Sequence, residues 1–395
     1  MRSVELFAGC GGLALGVARA GFKHDIVIEM DGDSVTTLRE NKKRKLPLIR
    51  NWDIAQHDTR QLDFSDLRGV DLVSGGPPCQ PFSIGGRHLG PRDSRNMWPE
   101  AIRAVREIRP KAFIFENVRG LFRPAFADYL EYITLQLSFP DLRRRDEPWR
   151  SHLARLRKRV RSGRQQDYRV IARAINAADY GAPQKRHRAM IIGLSTEHGE
   201  DWEFPSPTHS QDALVWSKHV ELDYWKRHDT RRVREPASAT EAFALARLWE
   251  SKEKPREFPW LTVRDAVGDL PAPTKSQKIS GHWQHPGARA YPNHTGSCLD
   301  EPAKALKAGD HGVPGGENML ADRNGNVRYF TVREMARLQG FPDDFEVSGT
   351  WKAATRQLGN AVPTTVGEHM AGVVRRLLAR GRPKNLTTVS ANRRR

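Results

Sequence analysis

Ser3-Val4-Glu5-Leu6-Phe7 alternates as a short strand, and Ala8-Gly9-Cys10-Gly11-Gly12 follows as a turn that opens a helix over residues 13–20. Strand, glycine turn and helix together make a nucleotide-type cradle, because a helix start offers unpaired N–H groups to a ligand. The next strand, Ile26-Val27-Ile28, ends at Glu29, twenty residues beyond Gly9, where a carboxylate can take the two hydroxyls of a ribose. Gly9-Cys10-Gly11-Gly12-Leu13-Ala14 also satisfies GxGxxA, so a nicotinamide or flavin site is a competing reading. Residues 33–41 read as helix, Lys42-Lys43-Arg44-Lys45 as a solvated turn, and Asn51-Trp52-Asp53-Ile54 as another short strand. Asp53 is then a third group at the same edge, able to accept from an adenine amino group or to serve as a plain helix cap.

Val70-Asp71-Leu72-Val73 reads as a buried strand, and Gly75-Gly76-Pro77-Pro78-Cys79-Gln80-Pro81-Phe82-Ser83 forbids its continuation as sheet or helix. Cys79 therefore sits at a strand's carboxyl end, the edge where open α/β folds bind ligands. A lone cysteine is most often a small buried apolar residue. Here two prolines pre-set the backbone and leave the thiol little freedom to retreat into a core. Residues 83–93 have the Gly and Arg content of a mobile, phosphate-facing segment that could close over DNA. Residues 97–108 have helical spacing, and Lys111-Ala112-Phe113-Ile114-Phe115 is a strand that delivers Glu116-Asn117-Val118 to its carboxyl end. Glu116 is either a structural cap or an acid whose protonated form desolvation favours, and so a proton donor near neutrality.

At 395 residues the chain can bury a large core and carry two domains. Its formal net charge of +18 points to a polyanionic partner, nucleic acid first. Cys10, Cys79 and Cys298 are odd in number and widely spaced, which supports neither a disulfide framework nor a zinc site and fits a reducing compartment. No apolar run approaches a membrane span, and the first ten residues lead into a glycine loop rather than a cleavable signal, so a soluble protein is expected.

Residues 141–168 are dominated by arginine, as a solvated helix face or a phosphate-binding one. Tyr168-Arg169-Val170-Ile171 and Ala189-Met190-Ile191-Ile192-Gly193 read as strands flanking an extended segment in which Arg186 and Arg188 would point to one face. Two guanidinium forks there suit phosphate or a base carbonyl. Between about 195 and 328 proline, histidine and tryptophan rise and periodicity weakens, as in a second domain. A short helix is expected within residues 262–271 and a loop over 309–316. Trp283, His285, Arg289 and Tyr291 are candidates for base contact, packing or plain surface. Helical order resumes at 331–339, residues 357–363 form a turn, a helix covers 364–379, and the basic tail ending in Arg393-Arg394-Arg395 is expected to be disordered.

Taken in order, these blocks resemble the motif series of the DNA cytosine-5 methyltransferases, with Pro78-Cys79-Gln80 as the PCQ loop, over residues 1–194 and about 326–375. The resemblance implies an α/β, doubly wound, Rossmann-like sheet that binds S-adenosylmethionine, with no metal. It implies a catalytic and cofactor-binding domain over 1–194, a smaller inserted target-recognition domain over 195–328, a return to the catalytic domain over 329–380, and a basic tail over 381–395. Phe7 and the backbone of Ala8, Gly9, Gly11 and Gly12 would hold the methionine moiety, Glu29 the ribose, and Asp53 with Ile54 the adenine, with Pro78 and Asn360 also at the cofactor. Met30 stands where many members place a tryptophan over adenine, and methionine covers a ring less rigidly.

By the same resemblance Cys79 would add to carbon 6 of a flipped cytosine, Glu116 would serve N3, and Arg186 and Arg188 would hold the carbonyl, the thiol loop or a phosphate. Positive charge near Cys79 would raise its thiolate fraction. The expected substrate is double-stranded DNA in a prokaryotic cytoplasm, beside the nucleoid, handled by a monomer that protects host DNA from a cognate restriction endonuclease. Three other readings stay open: an oxidoreductase, a catalytically silent DNA binder, and an RNA cytosine methyltransferase.

Overall fold

The computed structural model describes residues 1–78, 96–199, 201–234, 236, 238–273, 279–290, 295–309, 318–322 and 324–380. Its strands are β1 (Arg2–Leu6), β2 (Lys23–Glu29), β3 (Ile54–Gln56), β4 (Leu72–Gly75), β5 (Ala112–Val118), β6 (Tyr168–Asn176), the two-residue β7 (Gln184–Lys185), β8 (His187–Ser195), and short pairings beyond. Seven of them form one sheet in the order β3-β2-β1-β4-β5-β8-β6. The first five are parallel, and β8 runs antiparallel to both β5 and β6. The strand order reverses direction between β1 and β4, and in doubly wound sheets such a switch point opens the ligand crevice.

The helices in chain order are α1 (Gly12–Arg19), α2 (Gly32–Lys43), α3 (Trp98–Ile108), α4 (Ala127–Ser138), α5 (Trp149–Arg161), α6 (Gln211–His219), α7 (Asp223–Arg227), α8 (Ala239–Ser251), α9 (Val263–Val267), α10 (Val332–Leu338), α11 (Trp351–Asn360) and α12 (Thr364–Ala379). Both faces of the sheet are covered. Val4, Leu6, Val73, Phe113 and Phe115 pack with α3 and α4 on one side, while Leu72, Ile114, Met190 and Ile192 pack with α1 and α12 on the other. Strands buried on both faces need apolar residues at consecutive positions, and the run Ala112 to Phe115 supplies them.

Several expectations shift. The strand expected over 51–54 is β3, three residues later. Trp52 instead belongs to a turn, its N–H donating to the Ile49 carbonyl at 2.8 Å and its ring set edge-on to His24. Trp52 buried from the turn and Ile54 buried two residues on mimic the alternation of a strand. The turn expected over 357–363 begins as helix: Thr350 caps α11 by accepting from the Ala353 N–H, and Ala354 and Leu358 face the core. The expected helices at 262–271, 331–339 and 364–379 are α9, α10 and α12, the first two started by capping boxes, Thr262 with Asp265 and Thr331 with Glu334.

In the arginine-rich stretch, α5 buries His152, Leu153 and Leu156 and turns Arg150, Arg155 and Arg157 to carboxylates. Arg157 reaches Asp128 and Glu131 at 3.1 and 2.6 Å, Arg150 reaches Asp128 at 2.8 Å, and Arg155 pairs with Glu147. Residues 195–328 hold α6 to α9 with two- and three-residue strands. Tyr224, Trp225, Leu214 and Trp260 form a small cluster there, and Lys218 is buried against Glu241 and Glu301 at 3.0 and 2.8 Å. His285 packs rather than projecting, its ring stacked on Trp351 with centroids 4.2 Å apart, while Trp283 and Arg289 are exposed. Tyr291, residues 83–93, nearly all of 309–316 and the tail lie outside the described residues. No helix among the described residues is long and apolar enough to cross a membrane.

Candidate active site

The register of the parallel strands sets the site. Leu6 pairs with Gly75 and Gly75 with Phe115, so one step further on Phe7, Gly76 and Glu116 line up across three neighbouring strands at the carboxyl edge. Phe7 takes a left-handed φ of 55°, costly for a residue with a side chain, and so turns the chain out of the strand into the glycine loop. The Ala8 N–H then donates to the Ile28 carbonyl at 3.1 Å. Glu29 fastens the loop from beneath: one carboxylate oxygen accepts from the Gly9 N–H at 2.7 Å, the other from Met30 and Asp31 at 2.8 and 2.7 Å. Three bonds leave part of a carboxylate's roughly four acceptor positions for a ligand hydroxyl.

The far wall of this cradle comes from the other end of the chain. A Cβ on Gly12 would sit 2.2 Å from the Val362 carbonyl oxygen, so only glycine lets α1 begin that close to the segment before α12. A Cβ on Gly9, at φ 54°, would meet nothing within 4 Å, which leaves open space above the loop. No side chain caps the start of α1. A glycine loop open above, a helix start without a side-chain cap and a carboxylate with spare acceptor capacity fit an adenosyl cofactor.

Around this space Met30 is 61% exposed, and Asn360 is exposed at the last position of α11. Ile54 is buried at the start of β3. Asp53 precedes β3 with its side chain exposed and its carbonyl accepting from the Val27 N–H at 2.8 Å, so the helix-cap alternative is set aside. Pro77 is buried and Pro78 exposed. Cys79 lies outside the described residues. Cys10, the other cysteine near this edge, is buried; burial pushes its thiol up to about 12, and its sulfur donates to the Gln357 carbonyl at 3.6 Å.

Glu116 was expected just past its strand, but antiparallel β8 extends the pairing through Val118, so Glu116 is a strand residue opposite Met190. It is 8% exposed, and the Arg188 Nε stands 2.7 Å from its Oε1. Its other oxygen would lie 3.3 Å from a Cβ on Gly76, directly over the backbone that leads to Cys79. Asn117, next along the strand, donates its side-chain amide to the Pro77 carbonyl at 3.2 Å.

Arg186 corrects the expectation of two arginines on one working face. It falls between β7 and β8, its N–H held by Asn176 at 3.1 Å, and its fully buried side chain donates to the carbonyls of Leu306 at 2.8 Å and Gly359 at 2.6 Å. Burial, with repulsion from Arg188, holds its pKa well below the usual guanidinium range. Strand alternation does not hold across 185–187, so the inference from spacing fails there.

Other residues at the site were missed by sequence reasoning. Gln184 donates to the Leu338 carbonyl at 2.8 Å and to the Gln339 side chain at 3.0 Å, and Gln339 donates to the Leu358 carbonyl at 2.5 Å. Glu5, two positions before the row of Gly76 and Glu116, is buried; Ser74 donates to its carboxyl, and burial pushes its pKa up to about 8 against that hydrogen bond. A glutamate in a strand whose two faces are both covered was the available signal. Among the described residues no group of three or more His, Cys, Asp or Glu side chains could hold a metal ion.

Residues 1–140 and 152–376 match a model of the C-5 cytosine-specific DNA methylases. A Type II methyltransferase of Neisseria gonorrhoeae, M.NgoMIV, is 30% identical over 369 residues, covering 93% of this chain and 94% of that protein. M.PspPI, a Type II methyltransferase of a Psychrobacter strain, is 31% identical over 388 residues, 95% of this chain and 79% of that one. The crystal structure of a protein encoded within an Escherichia coli prophage superposes with a TM-score of 0.58 at 23% identity, covering 96% of this chain and 99% of that one. Spodoptera frugiperda DNMT2 gives 0.56 at 14% identity, over 94% and 99%. Both structures share the fold.

Proposed function

Because the chain belongs to the C-5 cytosine-specific DNA methylases, we propose that it methylates carbon 5 of one cytosine within a specific double-stranded sequence, with S-adenosylmethionine as donor and Cys79 as nucleophile. The observation that carries this reading is the convergence on the backbone just before Cys79: Glu116 lies over Gly76, Asn117 holds Pro77, and Arg188 pairs with Glu116.

Carbon 5 of cytosine is a poor nucleophile. Addition of the Cys79 thiolate to carbon 6 forms a sulfur–carbon bond and moves the ring's electron pair toward carbon 5, with the charge at N3 relieved by a proton or hydrogen bond from Glu116. Arg188 holds Glu116 through Nε, and its Nη1 donates to the His187 carbonyl at 2.8 Å, which among the described residues leaves Nη2 for the base carbonyl. Arg186 acts at one remove, fixing the start of β8 to α11. S-adenosylmethionine, when bound, supplies an electrophilic methyl group on a sulfonium. Phe7, Ala8, Gly9, Gly11, Gly12 and Pro78 would hold its methionine end, Glu29 its ribose, Met30, Asp53 and Ile54 its adenine, and Asn360 its flank. Once carbon 5 carries the methyl group, its proton passes to solvent water, the freed pair restores the double bond between carbons 5 and 6, and Cys79 leaves as the thiolate.

A stacked base cannot reach this edge, so the cytosine is flipped out of the duplex. Residues 195–328 serve as the target-recognition domain, between the catalytic residues 1–194 and their return at 329–380. The net charge of +18 supports a phosphate backbone as partner. The Type II relatives support a role in a prokaryotic cytoplasm, where a monomer marks host DNA against a cognate restriction endonuclease.

The test is methyl transfer from labelled S-adenosylmethionine to plasmid DNA, comparing the intact protein with Cys79→Ala and mapping 5-methylcytosine by bisulfite sequencing. Methylation at one short recurring sequence, lost in the variant, is expected. DNA binding without transfer would indicate a silent binder, and transfer to RNA alone an RNA enzyme; either would overturn the proposal.

A further inference from the structure

Four consecutive residues of α11 each hold a different part of the site. Arg356 forks across the turn after Glu29, with Nη1 2.9 Å from Asp31 Oδ1 and Nη2 2.6 Å from Asp33 Oδ2. The Gln357 side chain accepts from the Thr37 hydroxyl of α2 at 2.7 Å, and its carbonyl accepts from Cys10 in the glycine loop. Leu358 accepts from Gln339, and Gly359 accepts from Arg186. One helical turn, about 5.4 Å of axis, therefore joins the rim that carries Met30 to the arginine that anchors β8.

The rim is held from two sides. Inside, Glu29 accepts from the N–H groups of Met30 and Asp31. Outside, Asp31 caps α2 by accepting from Ser34 and also takes Arg356. A ligand that engages Glu29 on the inner side therefore loads the same short turn that Arg356 holds on the outer side. A helical segment bonded at every residue transmits such a load as a rigid piece, and its other end is the Gly359 carbonyl on Arg186. Arg186 lies two residues from Arg188, which holds Glu116.

We propose that residues 356–359 form a strut that couples cofactor seating at residues 29–31 to the placement of the target-base arginine, with Arg356 as the positioning residue at the cofactor end. This rests on the methyltransferase reading above. Coupling of this kind is reciprocal: cofactor tightens DNA binding by the factor with which DNA tightens cofactor binding.

The experiment is titration calorimetry with S-adenosylhomocysteine, with and without a duplex carrying the mapped target sequence, on the full chain and on Arg356→Ala, Arg356→Lys and Arg44→Ala. Arg44 serves as the control because it forms an ordinary ion pair, 3.2 Å to Glu346, between α2 and the segment before α11. Arg356→Ala is expected to weaken S-adenosylhomocysteine about tenfold, to raise KM for the donor with kcat at saturation within about twofold, and to shrink the mutual enhancement with DNA. Lysine reaches one carboxylate instead of two and should recover part of the loss. Arg44→Ala should leave all of these unchanged. Should Arg356→Ala fold poorly, Asp33→Asn removes one arm of the fork from the exposed side and should move the same quantities less.

Wild-type affinity and enhancement in Arg356→Ala would overturn the strut, as would equal losses in Arg44→Ala. If the unaltered chain transfers no methyl group, the functional reading itself fails. If it does transfer and the variants bind like wild type, only the strut fails.

Discussion

The Asn117 side-chain amide donates to the Pro77 carbonyl at 3.2 Å, so the strand that carries Glu116 also holds the segment that leads to Cys79. The strand that carries the proton donor of the proposed reaction is thereby tied to Pro77, two residues before its nucleophile in the chain. Asn117→Ala removes the donor from a buried proline carbonyl, a loss of about 1–3 kcal/mol. Single-turnover methyl transfer should slow by roughly 10- to 100-fold, with S-adenosylhomocysteine affinity kept. Loss of cofactor binding in step with the rate would show that Asn117 supports the fold as a whole.

Glu116→Gln keeps the volume and the position opposite Met190 but removes the acid and the charge partner of Arg188. The rate of transfer should fall by about 100- to 10,000-fold, while DNA affinity measured by anisotropy changes little. A variant within a factor of two of wild type at every pH would remove Glu116 from the mechanism.

Gly12→Ala places a methyl group 2.2 Å from the Val362 carbonyl oxygen, and backbone on both sides leaves no flexible atom to yield. The segment before α12 must move, at about 1–3 kcal/mol. Urea denaturation should report that loss of stability, and calorimetry a loss of S-adenosylhomocysteine binding larger than the stability change explains. Unchanged affinity would mean that residues 361–362 are not part of the cofactor wall.

Glu5 gives a pH dependence with a definite sign. Burial raises its carboxyl from 4.5 in the unfolded chain to about 8 in the fold, so its contribution is most favourable below pH 4.5 and is lost as pH rises toward 8. Between those values the unfolded chain has released a proton that the native state keeps. Glu5→Gln lacks this titration. Compared with it, the wild-type Tm should decline from pH 5 to pH 8 and then run parallel, and parallel curves throughout would show that Glu5 does not titrate as a buried acid.

The fold was legible wherever the determining interactions are local. The strand, glycine loop and helix of residues 3–20, Glu29 at the end of its strand, and the buried run before Glu116 follow from patterns a few residues long. What escaped depends on distant partners. Arg186 was assigned by alternation to the same face as Arg188, yet its orientation is decided by carbonyls 120 and 173 residues away. Trp52 imitated a strand residue because burial from a turn, two residues before buried Ile54, gives the same spacing. Glu5 was passed over for a simpler reason: a charged residue in an alternating strand implies a solvated face, whereas β1 lies mid-sheet and is covered on both faces.

The Gly12 to Val362 approach joins positions 350 residues apart, and it reaches past the fold into biosynthesis. A ribosome making this chain exposes the glycine loop well before the segment at Val362 that faces it. Nascent chains not yet extended to Val362 would carry Cys79 and Glu116 without the far wall of the glycine cradle. Completion of the cradle thus waits on translation through residue 362.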